Sequence, residues 1–152
     1  LFLKDRLTRG FIAGVIAGIV MNIISFAFSY FDLTTLNFVE WAGIVIYGNV
    51  PPFIFAEMIW AFIAQIFFAG GLGIVFIYLV PQVTSKNLLF KGWFYGGMVW
   101  FILYGISMLY EVTGTTPLPL KTSVSDFVGA SIYGVILAEV SKRMLKKFEL
   151  TS

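Results

Sequence analysis

The chain has 152 residues, 59% of them hydrophobic and only 12% charged, with a mean hydropathy of +0.93. Soluble domains carry roughly 25% charged residues, so this chain lacks the charge to cover a soluble globule. It contains neither Cys nor His and has a net charge of +2; disulfides, Cys/His zinc sites, iron–sulfur clusters and His-ligated haem are excluded, and nucleic acid is not favoured as a partner.

A membrane-crossing helix needs about 20 mainly apolar residues. In chain order, four stretches meet this requirement, at about 10–31, 52–80, 92–110 and 125–145. They predict an all-α integral membrane bundle of four transmembrane helices in one domain, 1–152. The first stretch has a basic start and a small-residue Ala27-Phe28-Ser29 end, but its apolar run exceeds a signal-peptide core, so it reads as a span. Between the first two spans, Asn37 with Glu40 three residues on has the spacing of a capping box. A short outer helix follows to about Tyr47, apolar enough to lie in the membrane interface or re-enter it. Pro52 suits the first turn of the second span, and Pro81 closes it.

Lys and Arg are distributed nine to one. Lys4, Arg6, Arg9, Lys86, Lys91, Lys142, Arg143, Lys146 and Lys147 fall on one side, and Lys121 alone on the other. The positive-inside rule therefore places both termini and the middle loop in the cytoplasm. Asp32, Glu40, Glu57, Glu111 and Asp126 fall at or near the outer side. Glu139 has Lys142 and Arg143 three and four residues on, the spacing of a helical ion pair. Lys142, Arg143, Lys146 and Lys147 form a basic tail suited to anionic lipid headgroups at the cytoplasmic surface.

Helices in lipid associate through close backbone contact, so small residues mark their interfaces. Gly10, Gly14 and Gly18 are spaced four apart in the first span, Gly92 and Gly96 in the third, and Ala130 and Gly134 in the fourth. Every span has such a face. That is more than a four-helix bundle needs for itself, and it predicts that some faces meet other copies in a homo-oligomer.

Polar residues at membrane depth are candidate functional groups. Asn22, Ser25, Glu57, Ser107 and Ser131 reach the outer half, and Gln65 lies near the middle of the second span. Together they outline a candidate polar pocket. Hydrogen bonding across helix interfaces, at about 0.6 kcal/mol each, is the simpler role for the uncharged ones. No nucleophile–base pair, metal cluster or cofactor motif is present.

Lys91-Gly92, Tyr95-Gly96 with Trp100 four residues on, Pro117 and Pro119, and Tyr133-Gly134-Val135 together give an order that resembles the small four-span YqhR-type membrane proteins of Gram-positive bacteria. Pro51-Pro52 and Glu57 depart from that pattern. The resemblance implies the fold and a bacterial plasma-membrane location, and no activity.

The sequence thus predicts a non-enzymatic, cofactor-free plasma-membrane protein that self-associates through glycine faces in a structural or assembly role. One alternative is a small channel or carrier lined by Asn22, Glu57 and Gln65. Another is the membrane anchor of a larger complex with an unidentified protein partner.

Overall fold

The computed structural model describes residues 4–80 and 86–149; Pro81 lies outside them. The described residues form five helices: α1 (Arg6–Tyr30), α2 (Phe38–Tyr47), α3 (Phe55–Leu79), α4 (Leu88–Leu109) and α5 (Leu120–Glu149). Four of them, all but α2, are long and apolar enough to cross a membrane. At 1.5 Å per residue the 25-residue α1 and α3 are each about 37 Å long, which exceeds a hydrocarbon layer of about 30 Å. The chain is an all-α, four-span membrane bundle with one short additional helix.

Polar caps set the helix starts, and these differ from the edges of the apolar runs. Asp5 caps α1, accepting from the Thr8 amide at 2.9 Å and the Thr8 hydroxyl at 2.8 Å. The Thr8 backbone bond holds the Asp5 carboxyl below its ordinary range. The capping box of α2 is formed: Glu40 N donates to Asn37 Oδ1 at 2.8 Å, and Asn37 N to Glu40 Oε2 at 3.1 Å. Helix α3 begins at Phe55 rather than at Pro52, because Glu57 Oε2 reaches back to accept the Ile54 amide at 3.0 Å. Helix α5 begins at Leu120, a turn before the apolar run near Ser125, with Thr122 N and Ser123 N both donating to Pro119 O at 3.1 Å.

Packing follows the small residues. Along α1, Gly10 faces Gly73, Ile74 and Ile77 of α3, Gly14 faces Ala69, Gly70 and Gly73, and Gly18 faces Ala69. Along α4, Gly92 and Gly96 face Ala130, Gly134 and Ala138 of α5. A methyl group at any of these glycines would collide with its neighbours. Gly10, Gly14, Gly18, Gly92, Gly96, Ala130 and Gly134 all pack inside one chain. Gly71 and Gly105 are the span glycines with nothing close beside them.

These two tight pairs, α1–α3 and α4–α5, are joined by α1 packing on α5. The spans form an arc in the order α3, α1, α5, α4. Its core holds Ala13, Ala17, Met21, Phe76, Tyr133 and Leu137. Helices α3 and α4, at the ends of the arc, have almost no backbone contact, although they are consecutive spans. Helix α4 is the least covered: 17% of its apolar window is buried, against 33–39% in the other three. Helix α2 packs on α3 at the outer end and buries Val39, Ala42, Gly43 and Ile44. At the opposite end, Arg6 donates to Ile77 O at 2.6 Å and lies 4.8 Å from the Tyr78 ring centre.

Gly134 touches backbone atoms of Gly92 and Gly96, which cannot turn aside as a side chain can. Gly134→Val should therefore destabilise the bundle by about 1–3 kcal/mol, the usual cost of overpacking. Gly105→Ala, in open surroundings, should change little. Thermal unfolding of the two variants in detergent checks the difference.

Candidate functional site

Two polar residues meet at the centre of the bundle. Asn22 of α1 is 1% exposed and Gln65 of α3 is 8% exposed. Asn22 Nδ2 donates to Gly18 O at 2.8 Å and to Gln65 Oε1 at 2.6 Å. The Gly18 carbonyl only accepts, so the Asn22 atom facing it must be the amide nitrogen. That nitrogen only donates, so Gln65 must present its oxygen to Asn22. Both amide orientations are thereby fixed, and the Gln65 Nε2 donor is left with no partner among the described residues. Asn22 Oδ1 is buried and also unpartnered.

Gln65 lines a cleft between α3 and α4. One wall is Gln65, Phe68, Ala69 and Leu72 of α3; the other is Gly96, Val99, Trp100, Leu103 and Tyr104 of α4. Met21 of α1 and Ala130 and Tyr133 of α5 form the back, and Phe38 and Trp41 of α2 the roof. The cleft is a narrow, partly open cavity of about 50 Å³. Its lining is almost wholly apolar.

Two side chains span the gap that the backbones leave. Above the cleft, Trp41 Nε1 of α2 donates to Ser107 Oγ of α4 at 3.2 Å. Below it, Tyr95 OH of α4 donates to Leu72 O of α3 at 2.5 Å, with the Tyr95 and Phe76 rings 5.2 Å apart. The Tyr133 hydroxyl at the back is engaged with Ala69 O at 2.6 Å. The Trp100 indole nitrogen is buried without a partner.

A polar clasp holds the end of the bundle where α5 begins. Asp126 of α5 is 2% exposed and accepts from Tyr104 OH at 2.5 Å and Thr34 Oγ1 at 3.4 Å. Thr122 Oγ1 accepts from the Thr35 amide at 2.8 Å and shares a second 2.8 Å bond with the Thr35 hydroxyl. Ser125 donates to Leu33 O at 2.6 Å, and Lys121 lies 3.5 Å from Asp32. The loop after α1 is thus laid over the first turns of α5. Asp126 is therefore buried, not at the water-facing rim where the sequence alone places it.

The six residues of the candidate polar pocket do not form one. Asn22 and Gln65 bond to each other. Ser25 Oγ accepts the Phe38 amide at 3.5 Å, and Ser107 accepts from Trp41, so these two secure α2. Glu57 is spent on the start of α3, where its carbonyl also accepts from Tyr47 OH at 2.8 Å. Ser131 lines a separate groove with Trp93 and Phe127, and its hydroxyl is buried without a partner among the described residues. Sequence reasoning missed Tyr104 and the inward position of Asp126. The signal for Asp126 is the spacing of Thr122, Asp126 and Ala130, which puts them on one face of α5. At the other end of α5, Glu139 accepts from Arg143 Nε at 2.7 Å. Among the described residues no group of three or more acidic side chains gathers to hold a metal.

No family model matches the chain, and no curated protein or solved structure matches it either.

Tyr104→Phe would leave the buried Asp126 carboxyl with only its long contact to Thr34. A loss of about 1–3 kcal/mol, the penalty for an unsatisfied buried group, is expected in detergent unfolding. Tyr110→Phe, at an exposed ring, is the neutral comparison.

Proposed function

We propose that the chain is a non-catalytic, multi-pass membrane protein whose working surface is the α3–α4 cleft, where it holds an apolar molecule taken sideways from the bilayer. The observation that carries this reading is the unfilled apolar space between two consecutive spans whose backbones stay apart. Small-molecule sites are usually lined by apolar and aromatic groups, and gaps between helices are a common place for them; this cleft is narrow, so it suits a slender group. The bilayer itself is the phase at the mouth.

The same geometry weighs on the other readings. A polar conduction path would need Asn22, Glu57 and Gln65 to line one channel, but Asn22 and Gln65 close on each other and Glu57 caps a helix end. Self-association through the glycine rows would need faces that are already filled. An assembly role is better served by the cleft than by those rows. An anchor role for a soluble partner rests on the basic tail alone.

The location that fits is a bacterial plasma membrane, in keeping with the resemblance to YqhR-type proteins. The nine basic residues on one side favour cytoplasmic termini, with Lys142, Arg143, Lys146 and Lys147 at anionic headgroups. The chain has no native Cys, so single-cysteine labelling is clean. In intact cells Asn49→Cys should react with an impermeant thiol reagent, and Lys86→Cys only after permeabilisation. The reverse pattern inverts the orientation.

The cleft is tested by photolabelling in vesicles with a diazirine-bearing fatty acyl probe. Label should concentrate on α3 and α4 residues of the cleft, and Val99→Trp, which fills it, should remove most of that label. Label spread evenly over all outward faces would reject the reading.

A further inference from the structure

We infer that the molecule held in the α3–α4 cleft carries a carbonyl-type oxygen that accepts a hydrogen bond from Gln65 Nε2. The inference rests on the reading of the cleft as a ligand site and adds the ligand's chemistry.

The cleft offers one uncommitted polar group. Gln65 is more than nine-tenths buried and lines the space. Its oxygen is taken by Asn22, whose own orientation is dictated by Gly18, so what Gln65 has left is a donor. The other polar groups on the walls are engaged or sealed: Tyr133 with Ala69, Tyr104 with Asp126, Trp41 with Ser107, and the Trp100 nitrogen enclosed. An amide N–H that faces apolar space without a partner is costly. An acceptor on the ligand recovers that cost.

The lining also says what the ligand is not. No Lys or Arg lines the cleft, so nothing there balances an anion. No carboxylate lines it to balance a cation; Asp126 lies behind Tyr104 and is already bonded to it. What fits is a neutral, slender, apolar body with an acceptor oxygen, such as an ester, a ketone or a quinone. Depth narrows this further. Gln65 is ten residues below Phe55 along α3, about 15 Å at 1.5 Å per residue, within a layer of about 30 Å. That is mid-membrane, below the level of phospholipid headgroups and the esters that adjoin them. The ligand is therefore a free carbonyl-bearing amphiphile rather than a bilayer phospholipid.

The test uses the full-length protein in detergent with two probes that share a chain and differ by the carbonyl group: methyl palmitate and hexadecane. Trp41 and Trp100 line the cleft, so intrinsic fluorescence reports occupancy. The wild type should bind the ester about three- to tenfold more tightly than the alkane, the fold-change of one net hydrogen bond. Gln65→Leu should bind both with the affinity of the alkane. Should that variant not fold, the carbonyl stretch of isotope-labelled ester must move to lower frequency on binding to the wild type. A decyl-substituted benzoquinone separates the sources: displacement of the ester by the quinone at lower concentration assigns a quinone, and the reverse assigns an ester. An ester preference that survives in Gln65→Leu, or an unshifted carbonyl, overturns the inference while leaving the cleft a ligand site. Binding of none of the probes by the wild type overturns the reading of the cleft itself.

Discussion

Backbone meets backbone at Gly14 against Gly70 and Gly73, and again at Gly92 and Gly96 against Ala130 and Gly134. In hydrocarbon there is no hydrophobic drive between helices, and close van der Waals approach takes its place. These two contacts make two rigid pairs, α1–α3 and α4–α5. Because α1 and α5 then turn their remaining inner faces, with Ala13, Ala17 and Tyr133, toward the shared core, the pairs join edge to edge. The outcome is an arc rather than a closed square, and α3 and α4 are left facing each other across a gap. The cleft is thus a by-product of where the glycines lie.

Some of the buried polar groups fix this arrangement, and others, the Asn22–Gln65 pair among them, keep unpartnered atoms. Asp126, Thr34, Thr35 and Thr122 tie the loop after α1 to the head of α5. Ser25, Ser107 and Glu57 position α2 over the gap, directly or through Trp41 and Tyr47. In each case a polar atom in an apolar setting finds a partner, as a membrane interior demands. The Asn22–Gln65 pair stands apart because two amides in a line with a carbonyl cannot satisfy every donor and acceptor they carry.

Much of the fold was legible in the sequence because membrane-crossing length and capping chemistry are local properties. The four apolar stretches and the Asn37–Glu40 cap each depend on residues within a few turns of one another. The errors fall where distant partners decide. Pro52 has the right chemistry for a first turn, but Glu57 sets the start of α3 three residues later. The glycine rows announce close packing without naming the partner, so rows that meet inside the chain look the same as rows that meet another copy. Asp126 reads as a rim residue until loop 32–37 folds over it. Asn22 and Gln65 were legible as deep polar residues, whereas the cleft beside them was not: it is created by the absence of contact between α3 and α4, which no residue pattern in either helix declares.

The two cross-gap hydrogen bonds, Trp41 to Ser107 and Tyr95 to Leu72, have a mechanical meaning. Each tight pair is held along its length by backbone contact, and the seam between α1 and α5 lies along the side opposite the mouth. The molecule is shaped like a shell with two latches across its mouth. A hydrogen bond contributes about 0.5–1.5 kcal/mol net, so releasing both latches costs a few kcal/mol at most. The width of the mouth is therefore set by side chains that can be exchanged one at a time.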